Sequence, residues 1–307
     1  VIPKRFFMLK IAYSSIYKHP LPEGHRFPME KYELLPGQLL HEGIVQEDNF
    51  FEPKPIDEKW ILNTHTQEYW NKLQYLGLTK SEVRATGFPL SKELVLREIT
   101  ILNGSVQAAE YAIQYGIAMN IAGGTHHAYA DKGEGFCLLN DIGVTANYLI
   151  ENQLSKNVLV IDLDVHQGNG TASLFAENPN VFTFSMHGAK NYPMRKEVSD
   201  LDCAIPDGTN DVEYLRILEA QLNRILKDFS PDFIIYQSGV DVLETDKLGR
   251  LALTVDGVKR RDALVLNLAK SLRSPIMCCM GGGYSSKISQ IVDAHTQVYR
   301  LAQDIYF

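Results

Sequence analysis

Cysteine is scarce in this 307-residue chain: Cys137, Cys203, Cys278 and Cys279 are the full set, and no two form a CxxC pair. That spacing argues against a cysteine zinc site and makes free thiols in a reducing compartment the simplest reading. Cys278 and Cys279, adjacent on an expected strand, should face opposite sides of a sheet. There is no run of five like charges, no low-complexity tract and no internal repeat. Basic residues are not in excess, since 30 stand against 37 acidic ones for a formal net charge of -7. The footprint of a nucleic-acid binder is therefore missing, and no direct nucleic-acid partner is expected. No apolar stretch approaches the ~20 residues that span a bilayer. A leader peptide is not expected either: Lys4 and Arg5 precede an apolar run, but Lys10 interrupts it and no small-residue cleavage site follows. The expectation is a cytoplasmic protein without a membrane span; its oligomeric state is left open.

With 45% hydrophobic residues the chain can build a sizeable core. Apolar runs of strand type recur at Phe7–Ala12, Ile117–Ala122, Val158–Leu163, Val181–Met186, Phe233–Gln237 and Ile276–Met280. Several are apolar at consecutive positions, which implies burial on both faces. Helical periodicity separates them at Leu94–Tyr115, Leu138–Asn152, Asp211–Asp228 (with Asn210 as its cap), Asp256–Leu272 and Ser285–Asp304. Met29–Gly43 also looks helical, but Pro36 should break or kink it. Strands alternating with helices indicate an α/β protein with an open, parallel, doubly wound sheet. No linker divides the chain, so residues 1–307 read as a single domain.

The polar clusters fall just after the strands, where open α/β sheets place their ligands. Asp162, Asp164 and His166 stand at i, i+2, i+4 in the run Ile161–Gly170. Strict strand alternation would turn all three to one face, where burial without a cation is costly. Gly168 and Gly170 then allow a sharp turn and close approach. Gly123-Gly124-Thr125-His126-His127 follows another strand, and its two imidazoles suit a general base with an electrostatic partner. Asp241 ends a third strand and Gly281-Gly282-Gly283-Tyr284 a fourth. The triglycine could cradle phosphate at a helix N-terminus, but no Walker-type Lys-Ser/Thr follows it. Asp164, His166 and Asp241 together make one imidazole and two carboxylates, the kind of set that holds a catalytic zinc with a position left for water. Fe(II) or Mn(II) also suits such oxygen-rich ligation.

In order, His126-His127, Asp162-x-Asp164-x-His166-x-Gly168-x-Gly170, Gly239-x-Asp241 and Gly-Gly-Gly-Tyr284 resemble the zinc-dependent histone deacetylase family and its arginase/deacetylase fold. The resemblance spans about residues 6–300, and the Gly135–Asp141 segment resembles the family's channel segment. Gln167, Asn169 and the short length look more like the class IV branch and its bacterial relatives. The resemblance implies Zn2+ (with Fe2+ as an alternative) on Asp164, His166 and Asp241. It implies His126 at the metal-bound water with Asp162 orienting it, His127 as the acid/base that protonates the leaving amine, and Tyr284 as donor to the oxyanion. Gly135, Phe136 and Tyr192 would line the substrate channel. A structural K+ would lie near Asp162, Asp164, His166, Ser185 and Met186. Where class I enzymes pair the second histidine with Asp, this chain has Asn169, which should support a cation on His127 less well. The implied partner is an acyl-lysine protein or peptide, or an acylated small amine.

Three other activities compete with this one. A binuclear manganese ureohydrolase of the same fold would need an acid two residues after His166 and a second DxD; Gly168 occupies the first position and Val242-Leu243-Glu244 follows Asp241. A non-catalytic binding module is disfavoured because every catalytic position is filled. An amidohydrolase of acetylated polyamines would be expected to carry an acidic gate at the channel rim; Glu23 and Glu82 are candidates in the loops 19–28 and 77–91.

Overall fold

Every residue of four central strands is buried, as the consecutive apolar runs require of a parallel sheet covered on both faces. The structure, a computed structural model, describes residues 8–307. Its strands are β1 (Lys10–Ala12), β2 (Phe50–Phe51), β3 (Ile117–Asn120), β4 (Val158–Asp162), β5 (Val181–Gly188), β6 (Leu201–Ile205), β7 (Phe233–Gln237) and β8 (Ile276–Cys279). They form one sheet in the order β2-β1-β3-β8-β7-β4-β5-β6, and all pairings are parallel. The helices are α1 (Lys31–His41), α2 (Glu58–Leu62), α3 (Gln67–Gln74), α4 (Lys80–Thr86), α5 (Lys92–Tyr115), α6 (Asp141–Glu151), α7 (Asn169–Phe175), α8 (Asp211–Asp228), α9 (Val255–Leu272) and α10 (Ile288–Tyr306). This is the single-domain α/β architecture with an open parallel sheet that was expected.

Side-chain alternation divides the core in two. Ile117, Leu159, Ile234 and Cys278 join the cluster that includes residues of α1, α8, α9 and α10. Ala118, Val160, Ile235 and Cys279 join the cluster with the C-terminal half of α5 and with α6. Cys278 and Cys279 thus face opposite sides, and all four cysteines are free. No helix among the described residues is long and apolar enough to cross a membrane.

The six expected strands are present, although the first begins at Lys10 and the Phe7 end of that expectation lies outside the described residues. The two edge strands were not foreseen: β2 has two residues, and β6 is interrupted by Asp202 and half-exposed. Pro36 does not break α1, which runs through it from Lys31 to His41. Only one i→i-4 bond is lost there, and packing against α10 holds the rest. The short helices α2, α3 and α4 lack a long apolar period, yet each is capped. Asp57, Thr66 and Thr79 accept from backbone N–H groups, and Thr79 with Glu82 forms a full capping box.

Candidate active site

Parallel strands point their carboxyl ends the same way, so the loops after β3, β8, β7 and β4, four neighbours in the sheet, converge. Here the chain leaves β3 and returns at β4, three places away, with β8 and β7 later filling the gap. That reversal opens the crevice typical of such sheets. It brings His126 and His127, Tyr284, Asp241 and the Asp162–His166 run to one place, and all but Tyr284 are buried.

The acidic run is not a straight strand. β4 ends at Asp162, and the chain bends through the next four residues. Strict alternation therefore gives way to turns in which each aspartate holds the backbone two residues on: Asp164 N–H donates to Asp162 Oδ1 (3.1 Å) and His166 N–H to Asp164 Oδ1 (3.0 Å). Asp162 turns its other oxygen to His126 Nδ1 at 2.7 Å. Asp164 and Asp241 face His166 Nδ1 at 3.0 and 3.1 Å. Gly168 is needed for close approach rather than for a left-handed turn, since its φ is -72° and a Cβ there would collide with the Asp162 carboxylate. A Cβ on Gly282 would likewise fill the space held by the Asp241 and Asp164 carboxylates.

Ligand atoms of Asp164, His166 and Asp241 lie within 4.8 Å of one another, and all three residues are buried. Crowded together in this way, the three groups shift one another's titration. Burial, then the nearby Asp164 charge, pushes the Asp241 carboxyl up to about 7. Burial opposes a charge on His166, but the two carboxylates outweigh it and hold the imidazole at about 10. Gln237 Oε1 is buried without a hydrogen-bond partner among the described residues, and Asp241 Oδ2, though 3.1 Å from His166 Nδ1, makes no well-aligned hydrogen bond. A buried carboxylate oxygen so placed, beside a second carboxylate, fits a metal ion.

The tandem histidines differ in what holds them. Burial opposes the charged form of His126, but Asp162 and Asp164 prevail and raise its pKa. His127 donates from Nδ1 to Asn169 Oδ1 at 2.6 Å, a neutral acceptor. Burial, with His126 and His166 nearby, holds His127 well below the usual imidazole range. The Asn169 contact by itself raises the His127 pKa, but burial and the two imidazoles outweigh it. Asn169 is oriented in turn by its Nδ2, which donates to Glu134 (2.7 Å) and to the Tyr129 hydroxyl (3.0 Å). Glu134 also accepts from the Tyr192 hydroxyl at 2.6 Å.

Above these groups opens a cavity of about 320 Å³ lined by Gly135, Phe136, Tyr192 and Tyr284, among others. Tyr192 meets His127 edge-on with centroids 5.0 Å apart, and Phe136 lies 6.1 Å from the Tyr284 ring. Phe136 has φ 68° and Gly135 φ 56°, so two successive left-handed residues aim the wall inward. Burial, then the Asp164 and Asp241 charges, keeps the Tyr284 phenol protonated far above its ordinary range. Ser185 pairs in register with Asp162, and Met186 follows it, both buried.

Several supporting residues carried no sequence signal. Arg261, fully buried on α9, donates to the carbonyls of Leu163 and Gly239 and so ties together the two loops that carry Asp164 and Asp241. Lys31, buried on α1, donates to the Gly281 carbonyl at 3.1 Å. Asp246 accepts from the Tyr284 N–H at 2.6 Å, and Asp164 Oδ2 accepts from the Gly282 N–H at 2.8 Å. Charged residues within amphipathic helices read as solvated in a sequence; only the fold reveals that these two point inward.

Residues 25–299 match the family model of the histone deacetylase domain. The chain is 40% identical to an uncharacterized protein of Picosynechococcus sp., over 96% of this chain and 99% of that one. It is 29% identical to histone deacetylase 2 of Arabidopsis thaliana, over 92% of this chain and 76% of that one. Its backbone matches a crystal structure of an HDAC homolog complexed with SAHA at a TM-score of 0.83 and 25% identity, over 95% of this chain and 82% of the other.

Proposed function

The chain belongs to the histone deacetylase family, and from that premise we propose a zinc-dependent hydrolase that removes acetyl or longer acyl groups from lysine side-chain amides. The observation that carries this reading is the buried triad of Asp164, His166 and Asp241 beneath an aromatic-walled cavity. Two carboxylates and an imidazole suit zinc, and iron(II) tolerates the same donors. Bound there, zinc would act as a Lewis acid on the acyl carbonyl and lower the pKa of a water to about 7.

The remaining work belongs to the chain's own side chains. His126, anchored through Nδ1 to Asp162, presents Nε2 to the cavity floor and orients the attacking water. His127 donates Nδ1–H to Asn169, which leaves Nε2 as the basic atom. It accepts the water's proton and passes it to the nitrogen as the C–N bond breaks, giving a carboxylate and a free amine. Tyr284 donates its hydroxyl to the oxygen that becomes negative in the tetrahedral transition state. Phe136 and Tyr192 flank the aliphatic arm of the substrate and exclude water. A structural potassium ion would lie near Asp162, Asp164, His166, Ser185 and Met186, a reading supported by the buried register of Asp162 with Ser185.

The test is zinc-reconstituted protein against lysine peptides carrying acetyl through myristoyl groups, with acetylated polyamines and a hydroxamate control. Hydroxamate-sensitive release of acyl groups from lysine is the expected result, and the chain-length profile sets the pocket depth. Turnover of polyamines alone would replace the lysine substrate with a small amine. Metal-bound protein that turns over nothing would sink the enzymatic reading.

A further inference from the structure

The mouth of the cavity carries charge of the sign opposite to its floor and to the chain as a whole. Three cations, Arg26, Lys190 and Arg250, line it, and no carboxylate does. All three are exposed. The Arg26 guanidinium lies over the Phe136 ring, 5.0 Å from its centroid, at the channel wall. Lys190 and Arg250 share one carboxylate, Asp207, at 3.5 Å each. Arg26 makes no ion pair among the described residues. Glu134, next in sequence to the lining residue Gly135, is already engaged by Asn169 and Tyr192, and the floor carboxylates would be neutralised by a dication. Positive charge is therefore in excess at the mouth of a protein whose formal charge is -7. The excess is local. A neighbouring groove of about 770 Å³ shares Arg26 and Tyr284, but there Lys18 and Lys247 stand against Glu23 and Glu30. Glu82, the other rim acid, is spent capping α4.

We propose that the preferred substrate is an acylated amine bearing an anionic group, a carboxylate or a phosphate, close to the scissile amide, where Arg26, Lys190 and Arg250 can receive it. The inference rests on the amide-hydrolase reading of the same site and adds the charge class of its substrate. Opposite charge at a cleft mouth raises encounter rates and orients the ligand, and salt screens both effects. Acetylated polyamines and lysine-rich peptides bring charge of the wrong sign.

The experiment uses zinc-loaded protein and short fluorescent peptides with one Nε-acetyllysine, flanked on both sides by Asp, phosphoserine, Ala or Lys. At low ionic strength kcat/KM should be about tenfold higher for the Asp or phosphoserine peptides than for Ala, and lower again for Lys, with the spread shrinking at high salt. Comparison of the Asp and phosphoserine arms distinguishes carboxylate from phosphate. Arg26→Glu combined with Lys190→Glu should invert the order, whereas Asp207→Asn should widen it. Equal or better use of the Lys peptides by the wild type, or an order unchanged in the charge-reversed variant, would overturn the proposal. Binding of the same peptides by fluorescence anisotropy follows the same order whether or not they turn over. Charge-ordered binding without turnover would therefore fault the hydrolase reading alone, and turnover without charge order would fault this one alone.

Discussion

Floor and mouth of the same cavity obey different physics. On the floor, Asp162, Asp164, His166 and Asp241 are buried at strand ends and turns, and the low dielectric makes each charge expensive unless matched. At the mouth, Arg26, Lys190 and Arg250 are exposed, reach the site on separate loops and work through screened water. Between them stand Phe136 and Tyr192. The contrast teaches that changes on the floor should abolish function and changes at the mouth should retune it.

The sharpest way to break the floor is Asp241→Ala. It removes one of the three side chains proposed to hold the metal, and we expect purified protein with little bound zinc and no measurable turnover, read by metal analysis alongside the assay. Arg261→Met tests whether the floor depends on its support. Losing the guanidinium leaves the buried Asp262 carboxylate without its cation, held by the Tyr236 hydroxyl, and frees the carbonyls of Leu163 and Gly239, so stability should fall by roughly 3–5 kcal/mol, measured by denaturant unfolding. Tyr284→Phe should leave the fold and metal binding in place but delete the proposed oxyanion donor. A fall in kcat of about 10²–10³, or on the order of 3 kcal/mol, is expected, and near-normal turnover would reject the donor role.

A smaller effect is expected along the relay from His127 toward the rim. Asn169→Asp alone would set a second carboxylate against Glu134, now 2.7 Å from the Asn169 amide nitrogen. Paired with Glu134→Gln, the change leaves one carboxylate facing His127. A negative neighbour favours the imidazolium, so the pKa of His127 rises from its burial-lowered position and the acidic limb of the kcat/KM profile should move to higher pH by about one unit. A pH–rate profile of the double variant checks the direction. The mildest changes are those at the mouth, where charge reversal should alter the order of substrates.

Much of the fold and floor was legible before any coordinates. Consecutive apolar residues at Val158–Ile161 and Phe233–Tyr236 announce short strands hidden on both faces, as a parallel sheet covered by helices requires. The capping box at Thr79-Lys80-Ser81-Glu82 was equally readable in principle, but α4 is too short for its apolar period to stand out. The edge strands β2 and β6 escaped because an edge needs neither length nor a fully apolar pattern.

The amino-acid sequence by itself determined which groups sit at the ends of the strands: the Asp162-x-Asp164-x-His166 spacing, the tandem histidines, and the glycines that let carboxylates crowd against backbone. These are local, because spacing along one strand or turn sets where side chains can go. Tertiary structure alone decided that Arg261 braces two ligand loops from a helix, that Glu134 orients His127 through Asn169, and that residues 26, 190 and 250 form one positive mouth on an acidic protein. Those contacts join segments tens to hundreds of residues apart, and only the order in which the sheet assembles its strands brings them together.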